Sequence, residues 1–265
     1  MRSDERQQYI LKTAQDNGFI SIPKTAEELG ISVETVRRDI NLLCKKNLLN
    51  KVHGGAKPVK APIYTDAAYS VRMYRNQQGK YAIAAEAAKM IRNGQVISFD
   101  GGATTAILAS LVQGVSNVTF VVNSLAIATT LVDKYFAKEL PNSTIIMTGG
   151  QINSPGYRTY FPVALDTIDK YRYNTVFISC TALNATGAFN NATNTGIYAQ
   201  HLIRQASSSV LLADSEKLGK HSLFEFAKLT DFDRIIIDDR FPCPPDILQA
   251  LEGSSTELTI VHCDE

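Results

Sequence analysis

The chain has 265 residues, 45% of them hydrophobic and 20% charged, with a formal net charge of +1. That length holds two domains of ordinary globular composition, and no apolar run approaches the ~20 residues that a membrane span needs. The small net charge conceals an asymmetry: residues 1–60 carry 11 Lys and Arg against 7 Asp and Glu, so the head is at +4 and the remainder at −3.

Asp4 to Asn17 is predicted to be a supporting helix, with Ile10, Leu11 and Ala14 turned inward, Ser3 or Asp4 as its cap and Gly18 as its stop. A short helix follows, with Pro23 in its first turn, Ala26 and Leu29 inward and Gly30 at its end. Ser32 caps the next helix, in which Val33, Val36, Ile40 and Leu43 repeat at helical spacing. Two helices and a turn of about three residues within 23–46 have helix-turn-helix spacing. Leu48 to Val52 and Lys57 to Val59 read as strands joined through His53–Gly54–Gly55, a two-stranded wing.

This arrangement suits double-stranded DNA. A helix in the major groove sets its N-terminal residues against base edges, and arginine can bond guanine through two hydrogen bonds. Thr35, Arg37, Arg38 and Asn41, on or near the outer face, are the candidate contacts of that helix. Lys45, Lys46, Lys51 and Lys57 would neutralise phosphates, and His53 and Gly54 would bring the wing backbone close to DNA. The plainer alternative is a small solvated helical domain, its paired arginines only a charged face with Asp39 bonded to one of them.

Residues 6–57 resemble the N-terminal domain of the DeoR family of transcriptional regulators, through Thr35–Val36–Arg37–Arg38–Asp39 and Val52–His53–Gly54–Gly55–Ala56. The resemblance implies a repressor, usually of sugar-catabolism genes, controlled by a phosphorylated metabolite.

Residues 57–68 contain two prolines and no regular period, and the linker is placed at 60–72 between a head of 1–59 and a body of 73–265. Lys80 to Ile91 reads as an Ala-rich helix ended by Gly94. Apolar runs follow at Val96–Phe99, Val118–Val122, Thr144–Met147, Val176–Ser179, Val210–Ala213, Ile235–Ile237 and Leu258–Val261. Helical stretches at Thr104–Val112, Ser124–Tyr135, Phe161–Tyr171 and Tyr198–Ala206 fill most of the gaps. Strands that alternate with helices and lack in–out alternation predict a mostly parallel sheet covered on both faces, a Rossmann-like α/β/α domain. Four scattered cysteines (Cys44, Cys180, Cys243, Cys263), with no CxxC and no nearby His cluster, point to neither a metal site nor a disulfide framework. No cofactor is expected, and with no secretory signal the expected compartment is the cytoplasm.

Ligands of such folds bind beyond the carboxyl ends of the strands. Asp100–Gly101–Gly102–Ala103–Thr104–Thr105 follows the first strand and opens a helix, which suits an anion; it lacks the lysine of a nucleotide-binding loop. Asn123–Ser124 follows the second strand and Gly149–Gly150 the third. Asp214–Ser215–Glu216–Lys217 follows the fifth, and Lys217 could supply the cation that the first loop lacks. The segments DGGATT, NS, TGG and LLADSEK, in this order, resemble the C-terminal sensor domain of the DeoR family, which is similar in fold to ribose-5-phosphate isomerase. The resemblance spans residues 6 to about 240 and implies that Gly102, Thr104 and Thr105 hold phosphate, Asn123 and Ser124 the sugar or phosphate, and Lys217 the anion or a hydroxyl. The chain departs from the family at Ala103, where Ser or Thr is usual, and at Ala182, where Gly is common.

The leading expectation is a repressor that binds an operator as a homodimer or homotetramer and responds to a phosphorylated sugar. Two alternatives stand beside it: a sugar-phosphate isomerase with a DNA-binding head, whose pocket-edge groups would be Asp100, Asp214 and Lys217, and a DNA-binding protein whose body only oligomerises.

Overall fold

A computed structural model describes residues 3–46, 48–58, 69–153, 157–160 and 163–263, and it divides into two compact units, Met1–Arg75 and Asn76–Glu265. Most of the expected linker, residues 60–68, lies outside the described residues.

The first unit contains α1 (Ser3–Asn17), β1 (Ile20–Ser21), α2 (Ile22–Leu29), α3 (Val33–Lys45), β2 (Leu49–Val52), β3 (Gly55–Pro58) and α4 (Tyr69–Tyr74). Its core gathers Ile10, Leu11 and Ala14 of α1, Ala26 of α2, and Val36, Ile40 and Leu43 of α3 around Ile20, Leu49 and Ala56. Val33, expected in that face, is instead 41% exposed, because the first turn of α3 projects beyond the core. Leu29, expected inward on α2, is half-buried. The Ser32 hydroxyl accepts from the Thr35 amide at 3.1 Å and so caps α3. Asp39 is buried and bonds neither arginine of α3: its carboxylate accepts from Nε of Arg6 at 2.5 Å and from the Arg6 and Gln7 side chains at 3.3 and 3.4 Å. This pair ties α1 to α3 and leaves the outer face of α3 clear.

The wing strands β2 and β3 are antiparallel, with Val52 opposite Gly55, and β1 adds to the other edge of β3. A Cβ on Gly55 would fall 1.9 Å from the Ile20 carbonyl oxygen, so only glycine lets β3 approach β1. Gly54, at φ +76°, makes the turn that the sequence places there.

The second unit opens with α5 (Gln77–Ala88), β4 (Val96–Phe99), α6 (Ala103–Leu111), β5 (Thr119–Val122), α7 (Leu125–Phe136) and β6 (Thr144–Met147). A hairpin of β7 (Gln151–Asn153) and β8 (Arg158–Tyr160) follows, then α8 (Val163–Ile168) and β9 (Thr175–Ser179). Residues 161–162, where the sequence starts that helix, lie outside the described residues. The chain continues through β10 (Ala182–Asn184), β11 (Gly187–Asn190), α9 (Thr193–Gln205), β12 (Ser209–Ala213), β13 (Phe224–Ala227), β14 (Arg234–Asp238), α10 (Pro245–Leu251) and β15 (Glu257–Val261).

Seven strands form one parallel sheet in the order β15-β14-β12-β9-β4-β5-β6. Numbered along the chain this is seventh, sixth, fifth, fourth, first, second, third: a doubly wound sheet whose direction reverses between β4 and β9. Right-handed crossovers put α6 and α7 on one face and α9 on the other. Every residue of β9 and β12 is buried, as a sheet covered on both sides requires. The β7–β8 hairpin and a small antiparallel sheet, β10-β11-β13, lie outside the predicted alternation. The helix α9 also begins earlier than Tyr198, at Thr193.

A buried knot holds the start of this unit. Asn76 takes the left-handed conformation at φ +41° and accepts from the Gly79 amide, capping α5. Its Nδ2 donates to both carboxylate oxygens of Asp238, at 3.3 and 3.2 Å. Asp238 also accepts from the Ser215 amide and hydroxyl, both at 2.7 Å, at the carboxyl edge of the sheet.

Candidate functional site

On the first unit, the capped start of α3 displays Val33, Glu34, Arg37 and Arg38 to solvent. Arg37 bonds Glu34 one turn back at 3.0 Å and, with Lys51, Val52 and His53, lines a groove of about 320 Å³ between helix and wing. Arg38 has no intramolecular partner among the described residues. Thr35 is half-buried, its hydroxyl 2.8 Å from that of Ser32. Asn41 accepts from the Lys51 ammonium at 3.1 Å, which braces wing and helix together. Lys45, His53, Gly54 and Lys57 are exposed on the same unit. Lys46 is held differently: its ammonium donates to Gln7 at 3.4 Å and to the Tyr74 hydroxyl at 3.1 Å.

On the second unit, the residues singled out from sequence stand at the carboxyl ends of β4, β5, β6 and β12, and those after β4 and β5 meet. Asp100, Gly101, Gly102, Ala103, Thr104 and Thr105 are all buried at the end of β4. Gly102 starts α6 without a side-chain cap, so the orphan amides of the first turn have no side chain to bond. Its missing Cβ leaves room for Ser179 of β9, whose Oγ would stand 2.1 Å from it. The Thr105 hydroxyl is committed to the turn itself, donating to the Asp100 and Gly102 carbonyls at 2.5 and 3.1 Å. The Thr104 hydroxyl, by contrast, is buried and has no hydrogen-bond partner among the described residues. Asn123 accepts from the Gly101 amide at 2.9 Å and so shapes the glycine turn. Ser124 is buried at the start of α7 and bridged through its backbone to Arg158. Gly149 and Gly150 are exposed and carry the chain from β6 into the hairpin.

Lys217 lies after β12, two strands from β4 in the sheet, and is 3.3 Å from Asp214, whose same oxygen is 3.0 Å from the buried ammonium of Lys80. Burial alone would raise the Asp214 carboxyl, but Lys217 and Lys80 together outweigh it and hold it below its ordinary value. Burial lowers Lys80 and Asp214 opposes it only in part. With two cations on one carboxylate, Asp214 stays ionised.

Three groups here escape the sequence reading. Lys80 had a signal: it falls in helical register with Ile83, Ala84 and Ala87, the buried face of α5. Tyr198 of α9 is 1% exposed, and its hydroxyl sits near Thr148 without a well-formed hydrogen bond. Burial raises its pKa well above the ordinary value, so it stays a neutral hydroxyl, while Asp100 and Arg158 act on it with opposite signs. Arg158, on β8, is 6% exposed and lies over Gly101.

Residues 6–61 match the model of the DeoR-like helix-turn-helix domain, and residues 75–239 that of the DeoR C-terminal sensor domain. The chain belongs to the DeoR family. It is a helix-turn-helix transcriptional regulator, like the relatives it matches along nearly their whole length. The "Uncharacterized HTH-type transcriptional regulator YulB" of Bacillus subtilis is 28% identical over 258 residues, 97% of this chain and 96% of that one. The HTH-type transcriptional regulator UlaR of Escherichia coli is 28% identical over 260 residues, 97% of this chain and 99% of the relative. Among solved structures, ribose 5-phosphate isomerase A of Methanocaldococcus jannaschii overlaps 54% of this chain and 55% of its own, at 16% identity and a TM-score of 0.38. That partial overlap leaves the function of this DeoR-family body to its own residues. No helix among the described residues is long and apolar enough to cross a membrane.

Proposed function

We propose that this DeoR-family regulator is a cytoplasmic, homo-oligomeric repressor of sugar-catabolism genes, released from its operator by a phosphorylated sugar. Arg37 and Arg38 read base edges from the start of α3, with Thr35 and Asn41 beside them. Lys45, Lys51, Lys57 and the His53–Gly54 wing tip engage phosphates. Lys46 reaches the backbone only by leaving Gln7 and Tyr74. Two heads at a fixed spacing give the affinity that one cannot.

The observation that carries the sensor half is the Thr104 hydroxyl, buried without a partner beside the uncapped start of α6. A buried hydroxyl in that state costs free energy unless something bonds it, and a helix start favours an anion. Asn123, Ser124 and the Gly149–Gly150 turn shape the surroundings, and Lys217 adds positive potential from the end of β12, two strands from β4. Release requires that the effector bind the DNA-incompetent state more tightly than the competent one. We read this body as a sensor rather than a catalyst, since the Asp214 carboxylate is tied up between Lys80 and Lys217 at 3.0 and 3.3 Å and is not free to take a proton from a substrate.

Footprinting and gel shifts on DNA flanking its own gene test the proposal; no preferred duplex would sink it. On the preferred duplex, Arg38→Ala should cost about 1–3 kcal/mol with relaxed preference at one base. An equal loss on every duplex would assign Arg38 to phosphate instead.

A further inference from the structure

The groove between the start of α3 and the wing is built from two kinds of side chain. Ile22 and Pro23 of α2, Val33 of α3 and Val52 of β2 give it an apolar wall, and Arg37, Lys51 and His53 give it a basic one. Hydrogen bonds fix these walls in place. The Ile22 amide donates to the Gly54 carbonyl at 3.0 Å, and the Lys51 ammonium donates to Asn41 of α3 at 3.1 Å. Val33 takes no part in the core of the head, whose first member on α3 is Val36, and it is 41% exposed. Its branched side chain does nothing to start the helix, since the cap is the Ser32 hydroxyl.

This mixture suits one occupant, the edge of a thymine in duplex DNA. The chain is a helix-turn-helix regulator, and residues 1–60 carry a net charge of +4, which draws them to the phosphates. In the major groove thymine presents a methyl group, which takes an apolar contact, while the phosphates beside it take cations. We propose that Val33, backed by Ile22, Pro23 and Val52, receives the 5-methyl group of a thymine, so that operator preference depends on an apolar side chain as well as on the arginines. Val33 and Arg37 stand one turn apart on α3, about 6 Å along its axis, which is about two base-pair steps. The thymine therefore lies within about two base pairs of the pair that Arg37 faces. This rests on α3 entering the major groove, as in the reading above.

The test is binding of the full-length protein, by fluorescence anisotropy at fixed salt, to the duplex that it selects from random-sequence DNA. In matched duplexes each thymine in turn is replaced by deoxyuridine, which removes only the methyl group. The wild type loses about fourfold at one thymine of each half-site, the effect of taking one methyl out of an apolar contact. Val33→Ser binds the thymine and uracil duplexes equally, and Val33→Ala keeps part of the difference. Both variants retain the wild-type salt dependence, because no phosphate contact is lost. Circular dichroism and urea midpoints check folding. Should Val33→Ser unfold, Val33→Thr carries the test, since it keeps the shape and exchanges one methyl for a hydroxyl. A uracil penalty that persists undiminished in the variant would overturn the assignment, and so would a wild type that tolerates uracil at every position, or a variant with a shallower salt dependence. In each of these cases operator binding itself still stands. If no duplex is selected, the operator reading and the thymine contact fall together.

Discussion

At the scale of single residues, the second unit keeps a charged interior that only makes sense as a set. Asp214 is almost wholly buried, yet ionised, because Lys80 and Lys217 bracket it. Removing one partner of such a set strands the other, which costs about 3–5 kcal/mol. Asp214→Asn is therefore expected to lower stability by that amount near neutral pH, as read by urea unfolding. The pH dependence has a definite sign. A carboxyl held below its ordinary 3.8 contributes stability above that value and loses it as pH falls through the lowered one. The gap between wild type and Asp214→Asn should thus be widest above about pH 4 and close in stronger acid. A gap independent of pH would mean that Asp214 is not ionised in the folded protein.

At the scale of elements, long periodic segments were legible and short ones were not. The strands at Val96–Phe99 and Thr144–Met147 match their predicted bounds, since each is a short, mainly apolar run closed off by polar or glycine residues. The three-residue strands of the β7–β8 hairpin are too short to show any period, so the sequence offered nothing that pointed to Arg158. In α9 the helical signal starts only at Tyr198, because Thr193, Asn194 and Gly196 in its first turn are weak helix formers. Gly196 is there for packing: a Cβ would come within 2.3 Å of Phe224 on β13. The glycine turn after β4 is legible because its glycines and threonines are contiguous, whereas the other buried polar groups described with it come from α5, β8 and α9. The wing offers an element-level prediction of its own. Gly55→Ala cannot be accommodated without parting β3 from β1, because the obstacle is the Ile20 backbone oxygen. It should cost about 1–3 kcal/mol of head stability, the range of an overpacked site, and weaken binding to all duplexes alike. Unaltered urea midpoints and unaltered DNA affinity would show that the wing does not need this contact.

At the scale of the whole molecule, each unit has its own apolar core, one around Ile10, Val36 and Leu49 and the other around Val176, Leu202, Leu211 and Ile235. Ligands that bind different units should then stabilise them separately. In calorimetry, operator DNA should raise the transition of the head, and a phosphate ester that of the body, each by about 2.7 kcal/mol at a hundred times its dissociation constant. A single transition raised equally by both ligands would show that the units unfold as one. The division falls between Arg75 and Asn76, immediately before the knot that binds Asn76 to Asp238. That peptide bond is consequently a seam for exchange. A foreign DNA-reading head spliced in ahead of Asn76 inherits a sensor whose capping and buried polar bonds are intact. A splice made only a few residues later discards Asn76, uncaps α5, and leaves the Asp238 carboxylate short of a donor next to Ser215 and Asp214.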